Sequence, residues 1–166
     1  MARYTNVYSS IWGDSRVQNL SDLGKLFWTY LLTNNCTNLS GYYILPKNNI
    51  IADLGKSGKE TEKQLAAIAN EGLIGYDRER DIVLIKNYLK YNTVKGRPQF
   101  TSVASQTRLI TRNPLDIDFF YALCTYCPNC IDYMEDGFKN YVKQTFQNDG
   151  SARHKKIETY INYYLK

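Results

Sequence analysis

The sequence predicts a mainly α, α+β chain, with a small helical domain braced by a short sheet and then a helical unit. Two observations carry this. From Ser21 to Lys86 the pattern runs helix, short strand, helix, helix, hairpin. Beyond about residue 98 the segments read as helices alone, with no internal repeat. The first order is that of a winged helix-turn-helix, a fold used most often to hold double-stranded DNA. We place a winged helix-turn-helix domain at 1–98 and a small helical C-terminal unit at 99–166.

Each element has a local reason. Tyr4 to Leu20 is a mixed lead-in expected to pack over the core, with Trp12 as a core anchor. Ser21-Asp22 supplies an N-cap and an early acid. Leu23, Leu26, Phe27, Tyr30 and Leu31 then recur at helical spacing, and Asn34-Asn35 ends the helix. Tyr42-Tyr43-Ile44 is β-rich. Pro46 opens a short helix containing Ile50, Ile51 and Leu54, and Gly55 stops it. Ser57-Gly58-Lys59-Glu60 fits a capping box, in which Ser57 and Glu60 satisfy each other's free backbone donors. The helix it opens runs to about Glu71, with Thr61, Leu65, Ile68, Ala69 and Gly72 on one face. Two apolar runs, 72–76 and 82–86, flank the charged tip Asp77-Arg78-Glu79-Arg80-Asp81 and predict a hairpin, the wing. Tyr42–Ile44 is expected as its third strand.

Residues 87–98 lose periodicity and read as a linker. Helices are expected over 99–112, 116–127, 133–146 and 151–166, the last two separated by Asn148-Asp149-Gly150.

Bulk properties bound the class. At 166 residues, 43% hydrophobic and 22% charged, the chain is ordinary for a globular protein. No apolar run approaches the roughly 20 residues that span a bilayer. No signal peptide is recognisable at the N-terminus, so no membrane partner and a cytoplasmic location are expected. Net charge is +5, and the first hundred residues hold 13 Lys/Arg against 9 Asp/Glu. That bias suits a polyanion, because lysine and arginine contacts to phosphate release counterions. The 15 tyrosines are read as base composition and packing rather than a stacking platform, since no RNA-binding signature accompanies them.

The helix over 57–71 is the candidate recognition helix. Lys56, Lys59, Glu60, Lys63, Ala67 and Asn70 lie opposite its apolar face. Lys56, Lys59 and Lys63 are the candidate cationic contacts. Gln64 and Asn70 offer amides of the type that reads adenine. Arg78 and Arg80 at the wing tip are placed to reach a phosphate or the adjacent minor groove, and Lys95 and Arg97 to extend the track. Against this, Glu60, Asp77, Glu79 and Asp81 dilute the positive field, and winged helices also serve as protein-docking modules.

Cys124, Cys127 and Cys130 are spaced as thiol ligands for zinc or part of an iron–sulfur cluster. The fourth ligand would have to be Cys36 or His154, and neither stands at a standard spacing. Reduced cysteines in an apolar helical region explain the same pattern, so neither a metal nor a cofactor is expected. A reducing cytosol disfavours a disulfide. No catalytic machinery is visible. Leu54-Gly55-Lys56-Ser57-Gly58-Lys59 lacks the earlier glycine of a phosphate-binding loop. Asp116, Asp118, Asp132, Glu135 and Asp136 read as solvated helix faces. An enzyme is not expected.

An ordered set of strings adds a resemblance. It comprises Ile11-Trp12-Gly13-Asp14, Leu20-Ser21, Leu26-Phe27-Trp28-Thr29-Tyr30-Leu31-Leu32-Thr33-Asn34 and Leu39-Ser40-Gly41-Tyr42-Tyr43-Ile44-Leu45-Pro46. Ile51-Ala52-Asp53-Leu54-Gly55, the stretch from Leu65 to Asp77 and Val83 to Lys90 complete it. Together they resemble the N-terminal winged-helix domain of phage replication-initiation proteins, the replisome organisers of DnaD-like type, over about residues 4–98. The resemblance implies origin-DNA binding, self-association as a homo-oligomer and contact with a replicative helicase or its loader. Such proteins usually end in a tyrosine–isoleucine–tryptophan signature. Here Tyr160-Ile161-Asn162-Tyr163-Tyr164-Leu165 stands instead, which puts helicase recruitment in question. A transcriptional regulator on the same fold, or a phage docking or inhibitor module, are the alternatives.

Overall fold

The computed structural model describes residues 5–110 and 112–148. The helix expected over 151–166, with His154 and the terminal tyrosine-rich string, lies outside the described residues. The chain is mainly helical with one small antiparallel sheet. It divides into two compact units between Asn92 and Thr93.

The first unit opens with a 3-10 turn, Ser9–Gly13, and a short helix α1, Ser15–Gln18. Asp14 caps α1 by accepting the Arg16 N–H. Val17 and Leu20 enter the core, whereas Trp12 stands 59% exposed, so it does not anchor the core. The 3-10 turn that carries it buries no residue.

Helix α2, Asp22–Thr33, is capped by Ser21, whose hydroxyl accepts the Gly24 N–H. Asn34 ends it: its amide donates to the Tyr30 and Leu31 carbonyls and its oxygen takes the Cys36 N–H. Its buried face is Gly24, Phe27, Trp28, Leu31 and Leu32. Leu26, expected inside, is exposed. It lies about 200° around the helix from Trp28.

Strand β1, Tyr42–Ile44, leads to α3, Lys47–Leu54, whose N-cap is Pro46. Gly55 ends α3 in the left-handed region, its N–H on the Ile51 carbonyl. Helix α4, Gly58–Asn70, begins at Ser57, whose hydroxyl accepts the Glu60 N–H. The return half of the expected capping box is replaced: the Glu60 carboxylate accepts the Gln64 amide at 2.5 Å. Gly72 lies beyond α4 with φ +71° and is exposed, so it forms no part of the packed face. Strands β2, Ile74–Asp77, and β3, Ile82–Ile85, form the hairpin. β3 lies centrally, pairing antiparallel with β1 (Tyr43 opposite Val83) and with β2 (Tyr76 opposite Val83).

The expected linker begins later than the sequence suggests. Asn87, at φ 61°, turns the chain into α5, Tyr88–Tyr91, where Tyr88 and Leu89 are buried. Tyr88 packs over Gly41, where an added Cβ would fall 2.3 Å from the ring. One core joins α2, α3, α4 and the sheet through Phe27, Leu31, Ile50, Leu65, Ile68 and Val83.

The second unit holds α6, Arg97–Leu109, α7, Leu115–Tyr126, a 3-10 turn at Pro128–Tyr133 and α8, Asp136–Asn148. Val103, Phe119, Phe120, Leu123, Ile131, Phe138 and Val142 are buried in it. No described helix is long and apolar enough to cross a membrane.

Candidate nucleic-acid interface

Helix α4 packs on α2 and α3 through Thr61, Leu65 and Ile68. This turns Lys59, Lys63 and Asn70 outward, all exposed, with Lys56 half-buried at the preceding turn. Lys59 and Lys63 are four residues apart, so they share one helical face. Neither forms an ion pair among the described residues. Asn70 is the last residue of α4, far from the N-terminal end that usually meets base edges.

Gln64 departs from expectation. It is 5% exposed, donates to Glu60 and approaches the Ser21 hydroxyl at 3.5 Å, close to Gly24. The helical period explains this: residue 64 lies about 60° from Thr61 and about 40° from Ile68. The side chain therefore tightens the α2–α4 contact and presents no edge to a ligand.

Arg78 and Arg80 at the tip of the β2–β3 hairpin are exposed, but both are engaged. Arg80 bonds Asp77 at 2.9 Å, and the same carboxylate accepts the Glu79 and Arg80 N–H groups. Burial pushes the Asp77 carboxyl up, but the Arg80 guanidinium and these N–H groups outweigh it and leave it below its ordinary value. Arg78 bonds Glu62 on α4, and Lys47 at the start of α3 bonds the other oxygen of the same carboxylate. Hydrogen bonding from Lys47, then Arg78, holds the Glu62 carboxyl below its usual range. Glu62 and Lys47 were not legible as a pair: the partners of Glu62 lie 15 and 16 residues away, outside any local pattern.

Lys95 and Arg97 belong to the second unit, where both are exposed at the start of α6. The Lys95 N–H bonds the Gln99 side chain at 2.8 Å, and the Arg97 carbonyl accepts the Thr101 hydroxyl.

Cys124, Cys127 and Cys130 are buried free thiols, and Cys36 is a half-buried one. No group of three or more His, Cys, Asp or Glu side chains among the described residues is arranged to hold a metal ion. Burial pushes the Cys124 thiol up to about 12.

The chain matches no protein-family model, no curated protein and no solved structure.

Proposed function

We propose that the first unit is a winged helix-turn-helix domain that binds duplex DNA, with α4 as recognition helix and the β2–β3 hairpin as wing. The observation that carries this reading is the exposed Lys59–Lys63 face of α4, unpaired among the described residues. It is a cationic helical surface of a size the major groove admits. The replication-initiation role, self-association, contact with a helicase or its loader and a cytoplasmic setting rest on the sequence reading and its resemblance. A transcriptional regulator would use the same surface, and the position of its footprint separates the two.

A docking module with no DNA partner is the second reading. It is favoured by the acid partners of both wing arginines.

Fluorescence anisotropy with a labelled random duplex, titrated with salt, tests the proposal. Affinity should fall steeply with salt. Lys59→Ala with Lys63→Ala should flatten the log–log slope by roughly 0.9 for each phosphate no longer neutralised. Unchanged affinity at low salt in the folded double variant would favour the docking module.

A further inference from the structure

The three-cysteine segment carries a chemistry of its own, independent of any DNA surface. Cys127 caps the C-terminus of α7, its N–H on the Leu123 carbonyl at 2.8 Å. Pro128 starts the 3-10 turn, and the Cys130 N–H returns to the Cys127 carbonyl at 3.0 Å. An i to i+3 bond of this kind closes a four-residue turn with its end Cα atoms within about 7 Å. Disulfides span a Cα separation of roughly 4.4–6.8 Å. The turn also brings the two sulfurs into contact, with Sγ atoms 2.8 Å apart. Proline at the second position sets this turn in advance, because its φ is already fixed.

We infer that Cys127 and Cys130 form a redox-active dithiol that hydrogen peroxide closes to an intramolecular disulfide. Cys127 is 5% exposed and Cys130 fully covered. Burial, then the neighbouring Cys127, also holds the Cys130 thiol above its ordinary value. The first step therefore falls to Cys127. It releases its proton to water, and its thiolate attacks one peroxide oxygen. The O–O bond breaks, the departing hydroxide takes a proton to become water, and a sulfenic acid remains on Cys127. The Cys130 sulfur then attacks the Cys127 sulfur. The S–S bond forms, the S–O bond breaks, and the leaving hydroxide takes the Cys130 proton as a second water. Two thiols lose two electrons and one peroxide gains them. Cys124, one turn earlier on α7 and also buried, stays a thiol.

Peptide mass mapping of the full chain tests this. The reduced protein is treated with hydrogen peroxide, denatured and alkylated with N-ethylmaleimide. Cleavage at lysine and arginine releases residues 113–139, which hold all three thiols. The expected product lacks two hydrogens, carries one maleimide at Cys124 and returns to three maleimides after dithiothreitol. Cys124→Ser should leave the disulfide intact. Cys130→Ser should trap the sulfenic acid on Cys127 as a dimedone adduct. Three maleimides after oxidation of a chain whose circular dichroism is unchanged would overturn the inference. So would a disulfide through Cys124, or dimers linked through Cys36.

Discussion

At the residue scale, Glu62 sets how much positive charge α4 and the β2–β3 hairpin would offer to the proposed DNA partner. One carboxylate bonds both Lys47 and Arg78 and offsets one of their two charges, so a phosphate must compete with it for either cation. Glu62→Gln should remove that competition. Duplex affinity in the anisotropy assay should rise several-fold at low salt, with the gain fading as salt screens the face. The melting temperature should hardly move, because exposed ion pairs contribute little to stability. Unchanged affinity would mean that neither cation meets DNA. The same carboxylates give a pH dependence. Glu62, Asp77 and Asp14 all have folded-state values below their ordinary ones. Each contributes a small increment of stability that is present above the unfolded carboxylate pKa, near 4. It is lost as pH falls through the lower folded values. Thermal melts should therefore be flat with respect to these groups from pH 7 to 5 and decline below about 4. Gln64 shows what the sequence could have said: its angle on the helix already put it beside Thr61 and Ile68. Glu62 could not be read this way, because what matters about it is which distant side chains reach it.

At the scale of elements, legibility follows the range of the forces that make each one. Ser21, Ser57 and Gly55 act within a turn of their own positions, so α2, α3 and α4 were readable from short strings. The hairpin was readable because two apolar runs flank a charged tip. The four-residue helices α1 and α5 were not, since neither spans enough turns to show a period. They exist because Val17 and Tyr88 are buried in the core of the first unit. Trp12 fails for the same reason: hydrophobic type alone does not say which of several apolar residues a short turn will bury. Gly41 is the point where α5 and the sheet meet. Its φ of +67° is costly for any side chain, and a Cβ would strike the Tyr88 ring. Gly41→Ala should destabilise the first unit by about 2–4 kcal/mol, combining left-handed strain with overpacking. A drop in the urea midpoint at unchanged m-value would show this. Ser57→Ala should cost about 1 kcal/mol through removal of the α4 cap, with DNA affinity per folded molecule unchanged.

At the scale of the whole molecule, the division between Asn92 and Thr93 separates the cationic residues into two groups. Lys59, Lys63, Arg78 and Arg80 belong to the first unit, and Lys95 and Arg97 to the second. The core of the first unit closes between Val17 and Tyr88, so its main packing is complete before the division. A fragment of residues 1–92 should therefore fold alone, giving dispersed amide resonances and a cooperative melt. It also separates the contributions to the proposed DNA binding. If Lys95 and Arg97 touch phosphate, their removal flattens the salt slope by roughly 0.9 each. The fragment should then match a full-length Lys95→Ala, Arg97→Ala variant in slope, while both still exceed the Lys59→Ala, Lys63→Ala variant in affinity. A fragment that binds more weakly than the full-length variant at the same slope would place a further DNA-binding group in the second unit. A fragment that folds yet has no measurable affinity would move the DNA site away from α4.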